Sequence, residues 1–398
     1  MPDGPEAYSV RVLTSLADVG AANWDACAGS ANPFVSHAFL SALEDSGSAT
    51  AETGWMARHL VVDDGQGGIL AAAPVYLKSH SYGEYVFDWG WADAYERAGG
   101  RYYPKLQCAV PFTPVPGPRL LVSAAADPAE VPDLKKALVA AMTQLAEQLG
   151  TSSLHVTFPE KAEWELMGAM GLMLRTGQQF HWENRGYSDF DGFLAELQSR
   201  KRKQIRKERQ EVADLGLRFR ALRGAEITEP CARAFYRFYR NTTDRKWGPS
   251  YLTRSFFPMI GERLGDAVVL IVAEADDLPG GKPVAGALNL VGADTLYGRN
   301  WGSAGHYNFL HFETCYYQAI DFAIREGLQR VEAGAQGPHK IQRGYLPVAT
   351  YSAHWIADPA LARAVERFLI EERDAMEQER RAMAGHSPYR NATENPAG

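Results

Sequence analysis

The chain has 398 residues, 46% of them hydrophobic and 22% charged, ordinary proportions for folded protein, so large-scale disorder is excluded and two domains are expected. A formal net charge of −7 argues against a surface devoted as a whole to nucleic acid and leaves room for a local basic patch. Cys27, Cys108, Cys231 and Cys315 lie far apart without a CxxC pair, which reads as reduced thiols in a cytoplasmic protein.

The opening Met1-Pro-Asp-Gly-Pro-Glu has neither the basic start nor the apolar run of a signal peptide. The longest apolar run, Ala267-Val-Val-Leu-Ile-Val-Ala273, is too short to span a bilayer, so a soluble protein is expected. Tyr8–Leu13 alternates like a strand, and two helices follow, Asp18–Ala28 and Pro33–Glu44, the second with Ser36 as a cap. Trp55–Val62 and Gly68–Lys78 read as paired strands around Asp63-Asp-Gly-Gln-Gly. The aromatic segment Tyr82–Trp91 then enters a proline-laden loop that runs to Pro118, a length expected of functional or covering loops. Pro132–Leu149 is an amphipathic helix, Ser153–Phe158 a strand, Glu160–Met170 a helix and Leu172–Asn184 strand-like.

The second half repeats that order. Phe190–Leu215 reads as one long helix containing Arg200-Lys-Arg-Lys-Gln-Ile-Arg-Lys-Glu-Arg209, followed by a strand at Leu217–Leu222. Helices Pro230–Asn241 and Ser255–Leu264 lead to strands Ala267–Glu274 and Val284–Val291, joined by the turn Asp276-Asp-Leu-Pro-Gly-Gly. Thr295–Trp301 has strand composition, and Gly302-Ser-Ala-Gly305 reads as a turn of small residues. Asn308 then caps a helix through Ala323–Arg325, with Gly327 at its C-terminus, and Leu328–Glu332 is the next strand. Two parallel strands joined by a helix place ligands at their carboxyl ends, where the loop Gly334–Gly344 leaves. Ala360–Ala384 is a charged helix and His386–Gly398 a disordered tail. The expected organisation is two α/β domains with mixed sheets, residues 1–185 and 186–385, facing each other across a cleft.

Particular residues carry a family resemblance across roughly 190–355. They are the basic helix after Phe190-Asp-Gly-Phe-Leu, the strand segment Leu296-Tyr-Gly-Arg, and Leu310-His-Phe-Glu-Thr-Cys-Tyr-Tyr-Gln, then Glu332-Ala-Gly-Ala-Gln-Gly-Pro-His-Lys and Arg343-Gly-Tyr. This half resembles an acyltransferase of the GNAT superfamily. The duplicated order, with Pro33-Phe-Val-Ser-His in the first half, resembles the Fem-type aminoacyltransferases, which carry two GNAT-like domains. The resemblance implies transfer of an acyl or aminoacyl group from acyl-CoA or aminoacyl-tRNA to an amine, with a cell-wall precursor as one acceptor class.

Candidate residues follow from chemistry and from that resemblance. Arg299-Asn-Trp-Gly302-Ser303-Ala304 fits the GNAT pyrophosphate-loop pattern, since small residues let backbone N–H groups approach phosphate; a plain turn uses the same residues. Glu313 sits on an apolar helix seam, where burial would raise its pKa toward that of a general base, unless it only complements the helix dipole. Glu332, Gln336, His339, Lys340, Arg343 and the adjoining Tyr345 crowd one loop; His339 is a proton acceptor by its neutral-range chemistry, Lys340 and Arg343 anion holders, and the rest substrate contacts. His311, off the helix seam, reads as a solvated imidazole.

The run Arg200–Arg209, with Lys201 and Arg202 foremost, would attract tRNA, a nucleotide diphosphate or an anionic lipid-linked ligand, or is a solvated face. Leu194, Leu197, Ile205, Val212 and Leu215 share an apolar seam that Lys201 and Glu208 interrupt. Tyr85, Asp88, Trp89, Trp91 and Lys105 are candidate substrate contacts from the first half. No metal motif and no nucleophile motif is present. The competing class is a non-catalytic binding protein for a nucleotide- or lipid-linked sugar or peptide.

Overall fold

A computed structural model describes residues 8–246, 250–275, 282–334 and 337–390. The expected turn at Asp276–Gly281 lies outside the described residues, as does Gln336. In chain order the first elements are Val10–Leu13 (β1), Ala21–Ala28 (α1), His37–Asp45 (α2), Trp55–Ala57 (β2), His59–Asp63 (β3), Ile69–Ala73 (β4) and Val75–Lys78 (β5). Next come Trp89–Arg97 (α3), Lys105–Cys108 (β6), Leu121–Val122 (β7), Val131–Gln148 (α4), Ser153–Thr157 (β8), Lys161–Ala169 (α5) and Met173–Glu183 (β9). The chain continues through Phe190–Ala195 (α6), Ser199–Ala213 (α7), Leu217–Arg223 (β10), Glu229–Lys246 (α8), Phe256–Leu264 (α9), Val268–Ala275 (β11), Lys282–Val291 (β12) and Thr295–Ser303 (β13). It closes with Leu310–Phe312 (α10), a π-helical turn at Glu313–Tyr317, Gln318–Arg325 (α11), Arg330–Glu332 (β14), Leu346–Ile356 (β15) and Pro359–Ala384 (α12).

These elements form two compact units, Met1–Gly177 with Thr350–Met376, and Gln178–Ala349 with Glu377–Gly398. In the first unit, strands run in the order β15-β8-β6-β5-β2, beside a separate sheet β1-β3-β4-β7. Leu134, Leu138, Met142 and Leu145 recur at helical spacing along α4 and are buried against Leu60, Leu106, Leu154 and Val156. In the second unit the order is β10-β11-β12-β13-β14-β9. Its core joins Ile320, Phe322 and Ala323 of α11 to Val331, Leu296, Trp182 and Phe193.

Among the described residues each unit shows a parallel pair of three residues. Leu106–Cys108 of β6 pairs with Leu154–Val156 of β8, and Thr295–Tyr297 of β13 pairs with Arg330–Glu332 of β14. A helix lies between the paired strands in both cases, α4 in one unit and the α10–α11 run in the other, as a parallel connection requires. That is the physical basis of the repeated element order.

The expected single helix from Phe190 to Leu215 is two. It breaks at Glu196–Gln198, where Leu197 bridges Tyr389 and the Gln198 N–H is taken by the Pro388 carbonyl at 2.8 Å. The same contact corrects the reading of 386–390 as tail: Tyr389 is buried, and its hydroxyl donates to the Gly344 carbonyl at 2.9 Å. Residues 391–398 lie outside the described residues. Leu215, expected on the apolar seam, is exposed because α7 has already ended at Ala213.

The expected turn at Gly302 is also corrected. Gly302 and Ser303 remain in β13, paired with Gly286 and Ala285. Helix α8 passes so close that a Cβ on Gly302 would lie 2.2 Å from the Phe238 backbone. The glycine makes room for a helix. Gly302→Ala should therefore destabilise the protein by about 3 kcal/mol, the upper range for overpacking, read as a lowered denaturant midpoint with unchanged slope.

Candidate functional site

The second unit opens where its parallel ladder stops. After Tyr297 pairs with Glu332, β13 runs on to Ser303, whereas β14 ends and the chain turns away through Ala333 and Gly334. The last contact is tight: a Cβ on Gly298 would come 3.2 Å from the Glu332 carbonyl oxygen. On the other edge of β13, Asn300 pairs with Leu288 but Gly298 pairs with Asn289, so Arg299 is the extra residue of a β-bulge. Such a bulge bends the strand and frees a peptide group from the ladder. The divergence and the bulge coincide at Gly298–Arg299.

Aromatic side chains wall the region beyond. Trp301 meets His311 edge-on at 5.3 Å; His311 meets Tyr316 at 5.3 Å and His339 at 6.4 Å. His339 Nε2 is 3.0 Å from the Tyr316 hydroxyl, and its ring is exposed. The two glycine-bearing segments are thus linked through Trp301, His311 and His339. His311 is half-buried among these rings, a correction to its reading as a solvated group. A hollow of about 410 Å³ adjoins, lined by Thr242, Trp301, Ser303, Tyr307, His311 and Phe312 among others. Phe309 enters the helix there with φ at 59°, and the π-helical turn Glu313–Tyr317 follows at once. Left-handed bulky residues and π turns both concentrate at functional sites.

Glu332 ends β14 buried, with Oε2 lacking any hydrogen-bond partner among the described residues. Its nearest basic atom is His181 Nδ1 at 3.7 Å, across the β9–β14 register. Burial pushes Glu332 up to about 8, against the opposing pull of Arg330 and Arg299. Burial likewise drives His181 down to about 3, so its ring is neutral near pH 7 and supplies no compensating charge.

The expected anion holders are otherwise engaged. Lys340 is buried and donates to the carbonyls of Ala333 (2.6 Å) and Gly334 (2.9 Å); burial brings it down to about 7. Arg343 gives two hydrogen bonds to Glu208, 2.8 and 2.9 Å, lies 3.5 Å over the Phe312 ring and donates to the His339 carbonyl. Tyr317 also donates to Glu208. Glu313, expected as a base, accepts from Arg209 at 3.1 and 3.2 Å and from Gln318 at 2.8 Å. Burial raises its pKa, with Arg209 opposing, but the carboxylate is already held. Lys340, Arg343 and Glu313 therefore hold the loop and helix in place, and Tyr345 is a fully buried core residue. Lys201 reaches Gln342 at 3.1 Å on the surface, and Arg202 is half-buried on the same helix. Ala304 leaves β13 with its N–H on the Val284 carbonyl, and Ser303 bonds to the Gly305 carbonyl.

In the first unit, Asp88, Trp91 and Lys105, expected as substrate contacts, are buried. Buried Lys105 donates to Asp88, to Glu84 at 2.7 Å and to Ser81 at 2.7 Å. Burial alone would raise Asp88, yet Lys105 outweighs it and holds the carboxylate well below its usual range. Tyr102 donates to Asp88 at 2.8 Å and lies 3.3 Å from His155, whose other nitrogen is 2.7 Å from His354. Trp91 packs 5.0 Å from His354. Sequence reading missed this pair of histidines, whose only signal was one imidazole in each of two buried strands. At the end of this unit's parallel pair, Arg119 is buried and donates to the carbonyls of Thr157, Val115, Gly117 and Pro118.

These features match a known class. The chain belongs to the FemAB-like family, described by peptidoglycan biosynthesis/recognition, whose model matches residues 15–391. It is a Fem-type protein of two compact α/β units. The crystal structure of FemX is similar over 87% of this chain and 98% of its own, at 12% identity and a TM-score of 0.55. The structure of L-PGS from Bacillus licheniformis is similar over 85% and 98%, at 10% identity and a TM-score of 0.51. At these identities the likeness is one of fold. No curated protein is matched by this sequence. Among the described residues no helix is long and apolar enough to cross a membrane, and no cluster of three or more His, Cys, Asp or Glu could hold a metal ion.

Two measurements check this description of the site. Arg343→Met should cost about 3–5 kcal/mol in denaturant unfolding, because Glu208 is left buried and uncompensated. Glu332 has a folded value above the 4.5 of an ordinary glutamate, so its favourable share of stability is whole below that pH and lost as pH rises toward about 8. Glu332→Gln abolishes that loss, and the variant's melting temperature should gain on the wild type progressively between pH 5 and pH 8.

Proposed function

We propose that the protein is an N-acyltransferase that moves an acyl or aminoacyl group from acyl-CoA or aminoacyl-tRNA to an amine, in the second unit. The observation that carries this reading is the coincidence of the β13–β14 divergence with the Arg299 bulge, beside a walled hollow. Acyl transfer to an amine needs the donor carbonyl fixed within reach of the nitrogen, and a donor N–H near the oxygen that becomes negative. The gap between the separating strands supports the first need, and the β13 edge that β14 no longer covers supports the second. Gly298 keeps the gap narrow without a side chain in it.

In this mechanism both substrates are bound together. The amine nitrogen attacks the carbonyl carbon, the new C–N bond forms, and the C–S or C–O bond to the carrier breaks as the tetrahedral intermediate collapses. Trp301, His311 and Phe312 give the acyl group or its carrier an apolar wall, while exposed His339, steadied by Tyr316, contacts substrate at the mouth. The family description supports a peptidoglycan-precursor amine as acceptor. On the basic helix α7, Arg200, Arg202 and Lys203 have no carboxylate partner among the described residues, which supports an anionic carrier such as tRNA reaching that side.

Turnover decides the matter. Thiol release from acetyl-CoA, and transfer from charged tRNA, should be saturable in purified protein offered a panel of amines including muropeptide stems. His339→Ala should raise KM about tenfold with kcat changed far less, since a lost substrate contact acts on uniform binding. Tight binding of a muropeptide with no transfer from either donor would replace this reading with that of a non-catalytic recognition protein.

A further inference from the structure

We infer that Glu332 is the proton acceptor for the attacking amine, an assignment that rests on the transfer reading above. Its carboxylate stands at the one residue where β14 leaves β13, so its backbone closes the ladder while its side chain is buried beside the gap. Every other buried carboxylate described in this unit has a cation or several donors: Glu208 has Arg343, Tyr317 and Gln204, and Glu313 has Arg209 and Gln318. Glu274 has Arg218 and Arg220. Glu332 has an orphaned Oε2 and a neutral imidazole 3.7 Å away. Leaving a buried polar atom unsatisfied is costly, and such atoms call for an explanation. An ammonium group arriving between the strands supplies one: it is both the missing donor and the missing charge.

The surroundings fit that role. The titratable groups facing Glu332 are His181 on β9, Arg330 on β14, Arg299 and Tyr297 on β13, and Asp294 just before β13. The two arginines are half-buried and lower its pKa less than burial raises it, so the group titrates near neutrality. A base is most effective there, where it is both ionised in good measure and basic enough to accept.

The step balances as follows. The bound ammonium gives one proton to the Glu332 carboxylate, becoming a neutral amine. Its lone pair forms the C–N bond to the donor carbonyl carbon. When the C–S or C–O bond breaks, the second N–H proton passes to the departing sulfur or oxygen. Glu332 returns its own proton to water before the next cycle.

Two readouts test this in the full-length protein. With acetyl-CoA or charged tRNA as donor, log kcat/KM should rise with pH to a plateau with a midpoint near 8, the value to which burial moves Glu332. Glu332→Gln should remove that limb and lower the plateau about 100-fold, and Glu332→Asp should fall between. Independently of turnover, dicyclohexylcarbodiimide at pH 7 attacks protonated carboxyls in apolar sites. With glycine ethyl ester present, peptide mass spectrometry should find the amide adduct at Glu332. Persistence of the pH limb in Glu332→Gln, or absence of the adduct, overturns the assignment. Failure of the wild type to use either donor sinks the transfer reading, and the adduct still reports whether an amine meets this carboxyl.

Discussion

A parallel pair of strands is held together only as far as its backbones face each other, and in the second unit that facing ends at Tyr297 and Glu332. Past this point β13 keeps its antiparallel partner β12 while the chain from β14 bends off into a loop. A ladder edge without a neighbour leaves peptide groups that must find other partners. The bulge at Arg299 falls at the same level. Separation on one edge and register slip on the other are thus one distortion, and Gly298 is the residue that lets the strands touch before they part. The aromatic wall, the π-helical turn and the orphaned carboxylate all stand around it.

The distortion is held open by buried ion pairs. Arg343 with Glu208 ties the Gly334–Gly344 loop to α7, and Arg209 with Glu313 ties α7 to the π-helical turn. Pairs of this kind add little net stability when compared with apolar packing, but removing one partner is expensive. Their effect is positional: they fix three segments that would otherwise move independently. Lys340 serves the same end by drawing the carbonyls of Ala333 and Gly334 inward, which sets the direction in which the chain leaves β14. The residues that chemistry alone would assign to an incoming anion are spent on the scaffold.

That outcome marks the limit of what the chain shows before it folds. Periodicity located most helices and strands of the described residues, but α3 and β6 read as loop and β7 and β15 go unread, so one strand of the first unit's parallel pair is missed. The crowding of polar side chains at the end of β14 and along the loop after it was legible too, because Glu332, His339, Lys340 and Arg343 are close in sequence. Partners were not. Glu208 interrupts the apolar seam of its helix at helical spacing, but nothing local names its partner, Arg343, 135 residues away. Gly302 looked like a turn because its true constraint, Phe238, is far away in sequence. Tyr389 looked like tail because the carbonyl it bonds belongs to Gly344. The return of Thr350–Met376 to the first unit is equally non-local.

The first unit shows why a shared plan need not mean shared chemistry. Its parallel ladder, Leu106–Cys108 with Leu154–Val156, also has three residues. But beyond β8 the space is taken by Arg119, whose guanidinium satisfies three carbonyls of the proline-rich turn and that of Thr157 at the end of β8, with Glu163 accepting the backbone N–H of Arg119 and that of Leu120. A carbonyl substrate would have to displace an arginine and leave those oxygens dry. Nearby, Glu84 and Asp88 each keep one buried oxygen without a hydrogen-bond partner among the described residues, but they share Lys105, so each buried carboxylate has a cation. Paired buried charges hold structure in place, whereas a buried carboxylate without a cation draws one in. By that criterion the two ladders have diverged in role: one is filled by its own chain, and the other keeps a gap with a carboxylate waiting beside it.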